Sequence, residues 1–142
     1  MRIESLAEKT YNRVVSSDPE ILPELEEYII KIAKEVNLDD SKINNLALSF
    51  SEAISNCMKH GNRFDKSKTV SITVNINDSK LTIVLKDEGK GFDLKAVPDP
   101  TKPENILKDS GRGIHIMKNF LDDLRYNFTP TGTEVILELS LH

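Results

Sequence analysis

The sequence has little of several things that would define a class of protein. Only one of its 142 residues, Cys57, is a cysteine, so no internal disulfide can form and a reducing compartment is expected. The histidines are scattered along the chain, which leaves no cluster with the spacing of metal ligands. Apolar runs extend over only a few residues, whereas a membrane-spanning helix needs about twenty. We therefore expect no membrane contact and a cytoplasmic location.

Charge of one sign is also lacking. The net charge is −4 and no block of lysine or arginine is longer than two residues, so nothing favours a nucleic-acid backbone as a partner. Glu4 and Glu8 occupy positions where a secretory signal has its apolar core, and export is not expected. With 38% apolar residues and no repeat or linker, the chain is predicted to be a single domain over residues 1–142.

Two helices are predicted in the first half of the chain, after a strand near residues 2–12. Ser17-Asp18-Pro19-Glu20 is typical of a helix start, because acidic side chains and a proline favour the first turn. Apolar residues then repeat at helical spacing, at Leu22, Leu25, Ile29, Ile32, Ala33 and Val36. A second helix is predicted from about residue 40 to Gly61, where a glycine can end it.

The pattern changes to strands after the second helix. Apolar and polar residues alternate over residues 70–76, and a similar row begins at Leu81 after a turn, which predicts a hairpin. Helical spacing returns over residues 114–121, and closing strands are expected near residues 124–128 and 133–141. This order predicts an α+β fold, a two-layer sandwich in which a mixed, mostly antiparallel sheet is covered on one face by about three helices.

The first candidate group for function lies on the second helix, at Glu52, Asn56, Lys59 and His60. At about 100° per residue these positions fall within one narrow face, and the opposite arc is apolar. The solvated face of an amphipathic helix would also explain them. A ligand site is favoured because asparagine is a poor helix former, and because a carboxylate and an amide one turn apart can address one ligand.

The second group is the segment Asp87-Glu88-Gly89-Lys90-Gly91-Phe92. Asp87 continues the inward-facing row of the strand before it. A carboxylate in that position needs hydrogen-bond donors, and the exocyclic amine of a purine is one candidate. The alternative is that Asp87 caps a turn for which the glycines supply positive φ.

The third group, Ser110-Gly111-Arg112-Gly113-Ile114, directly precedes a predicted helix. Glycines at a helix N-terminus let backbone N–H groups approach an anion, and the arginine can add a contact to a phosphate. A loop end with a surface arginine is the alternative. Residues 92–110, between the second and third groups, are polar and contain three prolines, and a loop of this length in a compact domain is usually functional.

Together and in this order, the three groups resemble the Bergerat-fold ATPase superfamily, which includes gyrase, the ninety-kilodalton heat-shock chaperones, sensor histidine kinases and mismatch-repair proteins. Residues 52–61 are similar to its N box and residues 87–92 to its first glycine box. Gly111-Arg112-Gly113 is similar to the second glycine box, and Gly132-Thr133 to the closing element. Four motifs at coherent spacing make coincidence improbable.

Within that superfamily, a stand-alone domain with an acidic residue at Glu52 resembles the small anti-sigma-factor serine/threonine kinases of bacterial partner-switching systems. The resemblance implies binding of ATP or ADP with Mg²⁺, phosphorylation of a STAS-type anti-sigma antagonist, and sequestration of a sigma factor. It also implies that a homodimer can form. Arg112 departs from the best-known members, which carry an apolar residue there. A non-catalytic, nucleotide-dependent anti-sigma or adaptor module is the alternative, and a scaffold without nucleotide is a third.

The resemblance also implies a role for each matched residue. Asp87 would accept a hydrogen bond from the adenine amine, with support from Thr133. Asn56 would bind Mg²⁺, and Glu52 would be the general base. The remaining nucleotide-binding positions, some near the base and some near the phosphates, would be Lys59, His60, Gly89, Gly91, Gly111, Arg112 and Gly113. Residues 92–110 would form a lid over the nucleotide.

Overall fold

The described part of the chain forms two long helices and a five-stranded sheet. The computed structural model describes residues 8–89 and 119–141, apart from the side chain of Phe128. The elements in chain order are β1 (Lys9–Ser16), α1 (Leu22–Glu35), α2 (Asp40–Asn56), β2 (Thr69–Ile76), β3 (Lys80–Lys86), β4 (Asp123–Thr129) and β5 (Gly132–Ser140).

The sheet has the strand order β1-β2-β3-β5-β4, and each of these four pairings is antiparallel. Leu85 is opposite Ile72 on one side and Val135 on the other. The last strand of the chain, β5, therefore lies in the interior of the sheet beside β3, and β4 forms an edge. This arrangement places the end of β3 next to the beginning of β5.

The core lies between the helices and one face of the sheet. Burial alternates along β2, β3 and β5, so every second side chain points to the core, as expected for strands with one covered face. The helices contribute the residues at helical spacing, among them Leu25 and Ile29 of α1 and Phe50 and Ile54 of α2, all fully buried. Each such side chain stabilises the fold by about 1.5–3 kcal/mol relative to exposure. The predicted two-layer α+β sandwich is confirmed for two helices, and the third predicted helix, over residues 114–121, lies largely outside the described residues.

Both helix starts agree with the sequence prediction. Asp18 caps a short 3₁₀ turn by accepting a hydrogen bond from the Glu20 backbone N–H at 3.0 Å, and α1 follows directly. Asp39 caps α2 in the same way, accepting from the Lys42 N–H at 2.9 Å. Each cap satisfies a backbone donor that the first turn leaves without an intrahelical partner.

Three details differ from the prediction. The first strand runs from Lys9 to Ser16 rather than near residues 2–12, because the pairing with β2 and the burial of Val15 fix its register. The sheet is wholly antiparallel in the part of the chain that the structure describes, rather than mixed. The second helix reaches Gly61 as predicted, but its last turn, Cys57–Gly61, is a π-helix.

Candidate functional site

Asp87 lies at the point where β3 ends beside the start of β5. It continues the row of Leu81, Ile83 and Leu85 and is 2% exposed, as its position in the sequence predicted. Its Oδ1 accepts hydrogen bonds from the backbone N–H groups of Thr133, at 2.8 Å, and Gly89, at 3.1 Å. Its own backbone N–H donates to the Thr133 carbonyl at 3.0 Å. These bonds fix the orientation of the carboxylate.

Burial is the dominant influence on the titration of Asp87. Removing the carboxylate from water raises its pKa above the ordinary value, and the hydrogen bonds from Thr133 and Gly89 oppose that rise. Both bonds go to Oδ1. Among residues 8–89 and 119–141, no donor is bonded to Oδ2. A buried carboxylate oxygen without a donor can accept a hydrogen bond from a ligand.

Three glycines surround this carboxylate at distances that allow no side chain. A Cβ at Gly61 would lie 1.9 Å from Asp87 Oδ2, and a Cβ at Gly132 would lie 2.3 Å from the Asp87 carbonyl oxygen. A Cβ at Gly89 would lie 2.6 Å from the carbonyl oxygen of Gly61. Gly132 also has φ +152°, which disfavours any other residue. The sequence prediction singled out Gly89 and Gly132 but missed the contact of Gly61 with Asp87.

The polar face of α2 supplies a second carboxylate and an amide. Glu52 and Asn56 are one helical turn apart, so their Cβ atoms are about 5–6 Å from each other. Both side chains are half-buried. Within the described residues neither side chain makes a hydrogen bond or an ion pair. This pair is therefore available to a ligand, and its proposed roles in catalysis and Mg²⁺ binding stay predictions.

Lys59 and His60 follow Asn56 in the π-helical turn and are exposed. The regular 100° step that placed them on the face of Glu52 ends at Asn56, because a π turn holds more residues than an α turn. Their proposed contact with phosphate stays a prediction. The same turn contacts β5, so it lies near Asp87.

Cys57 also places the end of α2 next to the carboxylate. The thiol is buried, and burial, together with the nearby charge of Asp87, raises its pKa. The end of the second long helix therefore meets the β3–β5 junction at Asp87. Glu52 and Asn56 lie earlier on the same helix.

Asn62 is a further buried residue at the site, and no role for it is predicted from the sequence. It is 1% exposed and accepts a hydrogen bond from the Glu88 N–H at 2.8 Å. Its amide group donates to Ser17 Oγ at 2.6 Å and to the Thr69 carbonyl at 2.9 Å. The sequence shows only a polar residue directly after Gly61. The hydrogen-bond partners of Asn62 are too distant in the chain to be predicted from that.

Several predicted site residues lie outside the described residues. These are Gly91, Gly111, Arg112 and Gly113, together with the proposed lid at residues 92–110. In the described ranges no three His, Cys, Asp or Glu side chains form a group that could hold a metal ion. The described helices also include none that is long and apolar enough to cross a membrane.

The comparison with known families defines the class of this protein. Residues 15–139 match the family described as the histidine kinase-like ATPase domain, and the chain belongs to this family. The resemblance stated from the four motifs is thereby confirmed. An ATPase domain of this kind uses a nucleotide, so the predicted nucleotide site is in keeping with the family.

More particular similarities point to one branch. An anti-sigma F factor of Clostridium perfringens is 31% identical over 106 residues, covering 71% of this chain and 74% of the relative. A serine-protein kinase named RsbW from Bacillus subtilis is 25% identical over 117 residues, covering 78% and 73%. The solved RsbU and RsbW domains of a Mycobacterium tuberculosis protein have a TM-score of 0.66 at 12% identity, over 92% of this chain and 32% of theirs, which supports the fold.

Proposed function

We infer that the protein is an ATP-dependent serine/threonine kinase that phosphorylates an anti-sigma antagonist and sequesters a sigma factor. Family membership supports the use of ATP, and the names of the relatives, anti-sigma F factor and serine-protein kinase, support the kinase and anti-sigma roles. The observation that carries the proposal is the pair Glu52 and Asn56, half-buried on α2 and without partners among the described residues. A domain that only bound a nucleotide would not need a carboxylate at Glu52.

The adenine base would bind at Asp87. Two backbone amides hold Oδ1 in place, and Oδ2 is left to accept a bond from the exocyclic amine. The Thr133 hydroxyl makes no hydrogen bond within the described residues and is adjacent to the carboxylate, so it can support the base directly or through water. Guanine and hypoxanthine present a carbonyl oxygen at this position instead of an amine. Their oxygen would face the carboxylate, which is unfavourable.

The phosphates would lie toward the polar face of α2. The side-chain oxygen of Asn56 would be a ligand of Mg²⁺, which prefers oxygen donors and usually takes only one or two from protein when phosphates supply the others. Mg²⁺ would neutralise charge on the phosphate oxygens. Gly111, Arg112 and Gly113 are proposed to bind the same phosphates, and residues 92–110 to form the lid of this single domain.

Glu52 would act on the protein substrate. A carboxylate one turn from Asn56 would lie near the end of the phosphate chain, where it could orient the attacking hydroxyl and accept its proton. The bond from the hydroxyl oxygen to phosphorus forms as the bond to the leaving ADP oxygen breaks. The phosphorylated partner is proposed to be a STAS-type antagonist. A cytoplasmic location and a homodimer are part of the same proposal.

Phosphotransfer to a co-purified partner tests this function. The protein is isolated from its native cell, and the small proteins that accompany it are incubated with it, γ-labelled ATP and Mg²⁺. We expect label on a serine or threonine of one such protein and none when the kinase is omitted. ADP binding without transfer to any of them would favour the non-catalytic binding module instead.

A further inference from the structure

Asn62 closes a ring of hydrogen bonds that joins three separate parts of the chain. The Glu88 N–H donates to Asn62 Oδ1 at 2.8 Å, and Asn62 Nδ2 donates to the Thr69 carbonyl at 2.9 Å. The Thr69 N–H in turn donates to Glu88 Oε2 at 2.7 Å. The ring links the end of the π turn, the start of β2 and the segment that follows β3.

Asn62 is also anchored at its other side. Its second amide hydrogen is donated to Ser17 Oγ at 2.6 Å, and Ser17 is itself fully buried. The Ser17 N–H donates to the Lys68 carbonyl at 3.1 Å, which ties this anchor to the start of β2. Asn62 therefore uses its oxygen and its amide nitrogen on three partners, so its side chain has one orientation.

The residue that Asn62 holds, Glu88, lies between Asp87 and Gly89. Asp87 packs its carboxylate on Gly61, the neighbour of Asn62, and Gly89 packs on the Gly61 carbonyl. The segment Asp87–Gly89, after β3, thus contacts Gly61 and Asn62 at the end of the π turn. Of these contacts only the bond from the Glu88 N–H to Asn62 is a directional bond to a rigid buried side chain.

We propose that Asn62 is a positioning residue for adenine selectivity. Its hydrogen bond fixes the Glu88 backbone, and the fixed backbone holds the neighbouring Asp87 carboxylate against Gly61. The inference rests on the proposed function, because it assigns the adenine amine to Asp87. Hydrogen bonds to a carboxylate depend steeply on distance and angle. Loss of the Asn62–Glu88 bond frees the backbone next to Gly89 and so loosens one of the two amide bonds that orient the Asp87 carboxylate. The binding of adenine then weakens more than the binding of a base without the amine.

The test compares ADP with inosine diphosphate, both with Mg²⁺, by calorimetry. Wild-type protein is expected to bind ADP at least about ten-fold more tightly than inosine diphosphate, because only adenine donates a hydrogen bond to the Asp87 carboxylate. In Asn62→Leu, which is similar in size and has no polar atoms, this ratio is expected to fall to within about three-fold of unity. Asn62→Asp keeps the acceptor for Glu88 and is expected to keep the preference for ADP.

Ser17→Ala is the matched control. It removes a partner of Asn62 but leaves the bond to Glu88, so it should lower stability without changing the ratio. A merely structural role for Asn62 would make all three variants lose stability and keep the wild-type ratio. A folded Asn62→Leu protein with wild-type preference for ADP would overturn the proposal.

Hydrogen exchange of the Glu88 amide keeps the test decisive if Asn62→Leu does not fold. In wild-type protein without nucleotide, we expect this amide to be protected nearly as well as those of β3. Exchange at the rate of an exposed amide would overturn the inference. A wild-type protein that binds both nucleotides equally, with a protected Glu88 amide, would instead contradict the adenine assignment of the proposed function.

Discussion

The backbone of Gly61 lies directly against the carboxylate of Asp87, so closely that a Cβ on Gly61 would stand 1.9 Å from Oδ2. This contact joins the end of the second long helix to the end of β3. Because this contact leaves no room for a side chain, it accounts for the glycine at position 61 more specifically than the need to end the helix. It also connects the helix that carries Asn56 to the adenine-binding candidate Asp87.

The contact predicts a specific coupling between two substitutions. Gly61→Ala should destabilise the protein by about 1–3 kcal/mol, the usual range for overpacking, and abolish ADP binding. Asp87→Ala removes the oxygen atoms with which the new methyl group collides. In a double-mutant cycle by urea unfolding, Gly61→Ala should therefore cost less in the Asp87→Ala background. Equal cost in both backgrounds would show that the two residues do not touch.

If Glu52 is the general base, as proposed, its loss should slow phosphotransfer without weakening nucleotide binding. Glu52→Gln should lower the rate of phosphotransfer by about 10²–10⁴-fold, the usual contribution of a general base, while ADP affinity stays within about three-fold. Glu27→Gln, an exposed glutamate on α1, is the matched control and should transfer phosphate at the wild-type rate. A wild-type rate of phosphotransfer in Glu52→Gln would show that Glu52 is not the general base.

Replacing Asp87 by asparagine should change the preferred base. Asparagine keeps one acceptor for the Thr133 and Gly89 amides but presents an N–H₂ group where Oδ2 stood. That group repels the adenine amine and can donate to the carbonyl of hypoxanthine. We expect ADP affinity to fall by about ten-fold or more and the preference to shift toward inosine diphosphate. Asp78→Asn, in the exposed turn between β2 and β3, should change neither affinity.

Stability should depend on pH through Asp87 in an unusual direction for a carboxylate. Burial raises its pKa in the folded state, so the folded protein holds this proton more tightly than the unfolded chain. Its favourable contribution is present below the unfolded pKa and is lost as pH rises through the folded pKa. The stability of Asp87→Asn relative to wild type should therefore decrease as pH falls from about 7 toward about 4.

Urea unfolding of both proteins at several pH values measures this difference. Asp78→Asn serves as the exposed control, and its stability relative to wild type should not follow the same trend. An Asp87→Asn advantage that grows with falling pH would show that burial is not what dominates the titration of Asp87.

Ser49 predicts a stabilising substitution on the same helix. Its hydroxyl is buried and has no hydrogen-bond partner in the part of the chain that is described. Ser49→Ala should raise the free energy of unfolding by about 1 kcal/mol, because it removes an unsatisfied polar group and improves helix propensity. Ser51→Ala is the matched control, since the Ser51 hydroxyl donates to Glu26 at 2.8 Å. It should stabilise the protein less, and an equal gain would assign the effect to helix propensity alone.

Local periodicity predicted much of this architecture. The alternation over β2 and β3 identified the hairpin, and the helical spacing identified α1 and α2, because each pattern follows from one covered face. The same alternation predicted that Asp87 points inward. The pairing of β5 with β3 was beyond such reasoning, because a pattern shows which face is buried and not which distant strand is adjacent.

The candidate site was predictable only in part for the same reason. Glu52 and Asn56 could be paired because they lie on one helix, where spacing determines proximity. The contacts of Gly61 with Asp87 and of Asn62 with Glu88 span 26 residues each, and no local pattern records them. The π turn at Cys57 was missed because the sequence there continues the helical pattern.

A crystal structure with a non-hydrolysable ATP analogue and Mg²⁺ tests the central claim most directly. We predict the adenine amine within about 3.2 Å of Asp87 Oδ2, the normal limit of such a bond, with the phosphates directed toward Asn56. Glu52 should lie near the terminal phosphate. A base bound elsewhere, or a Glu52–Asn56 face that no phosphate approaches, would contradict the account.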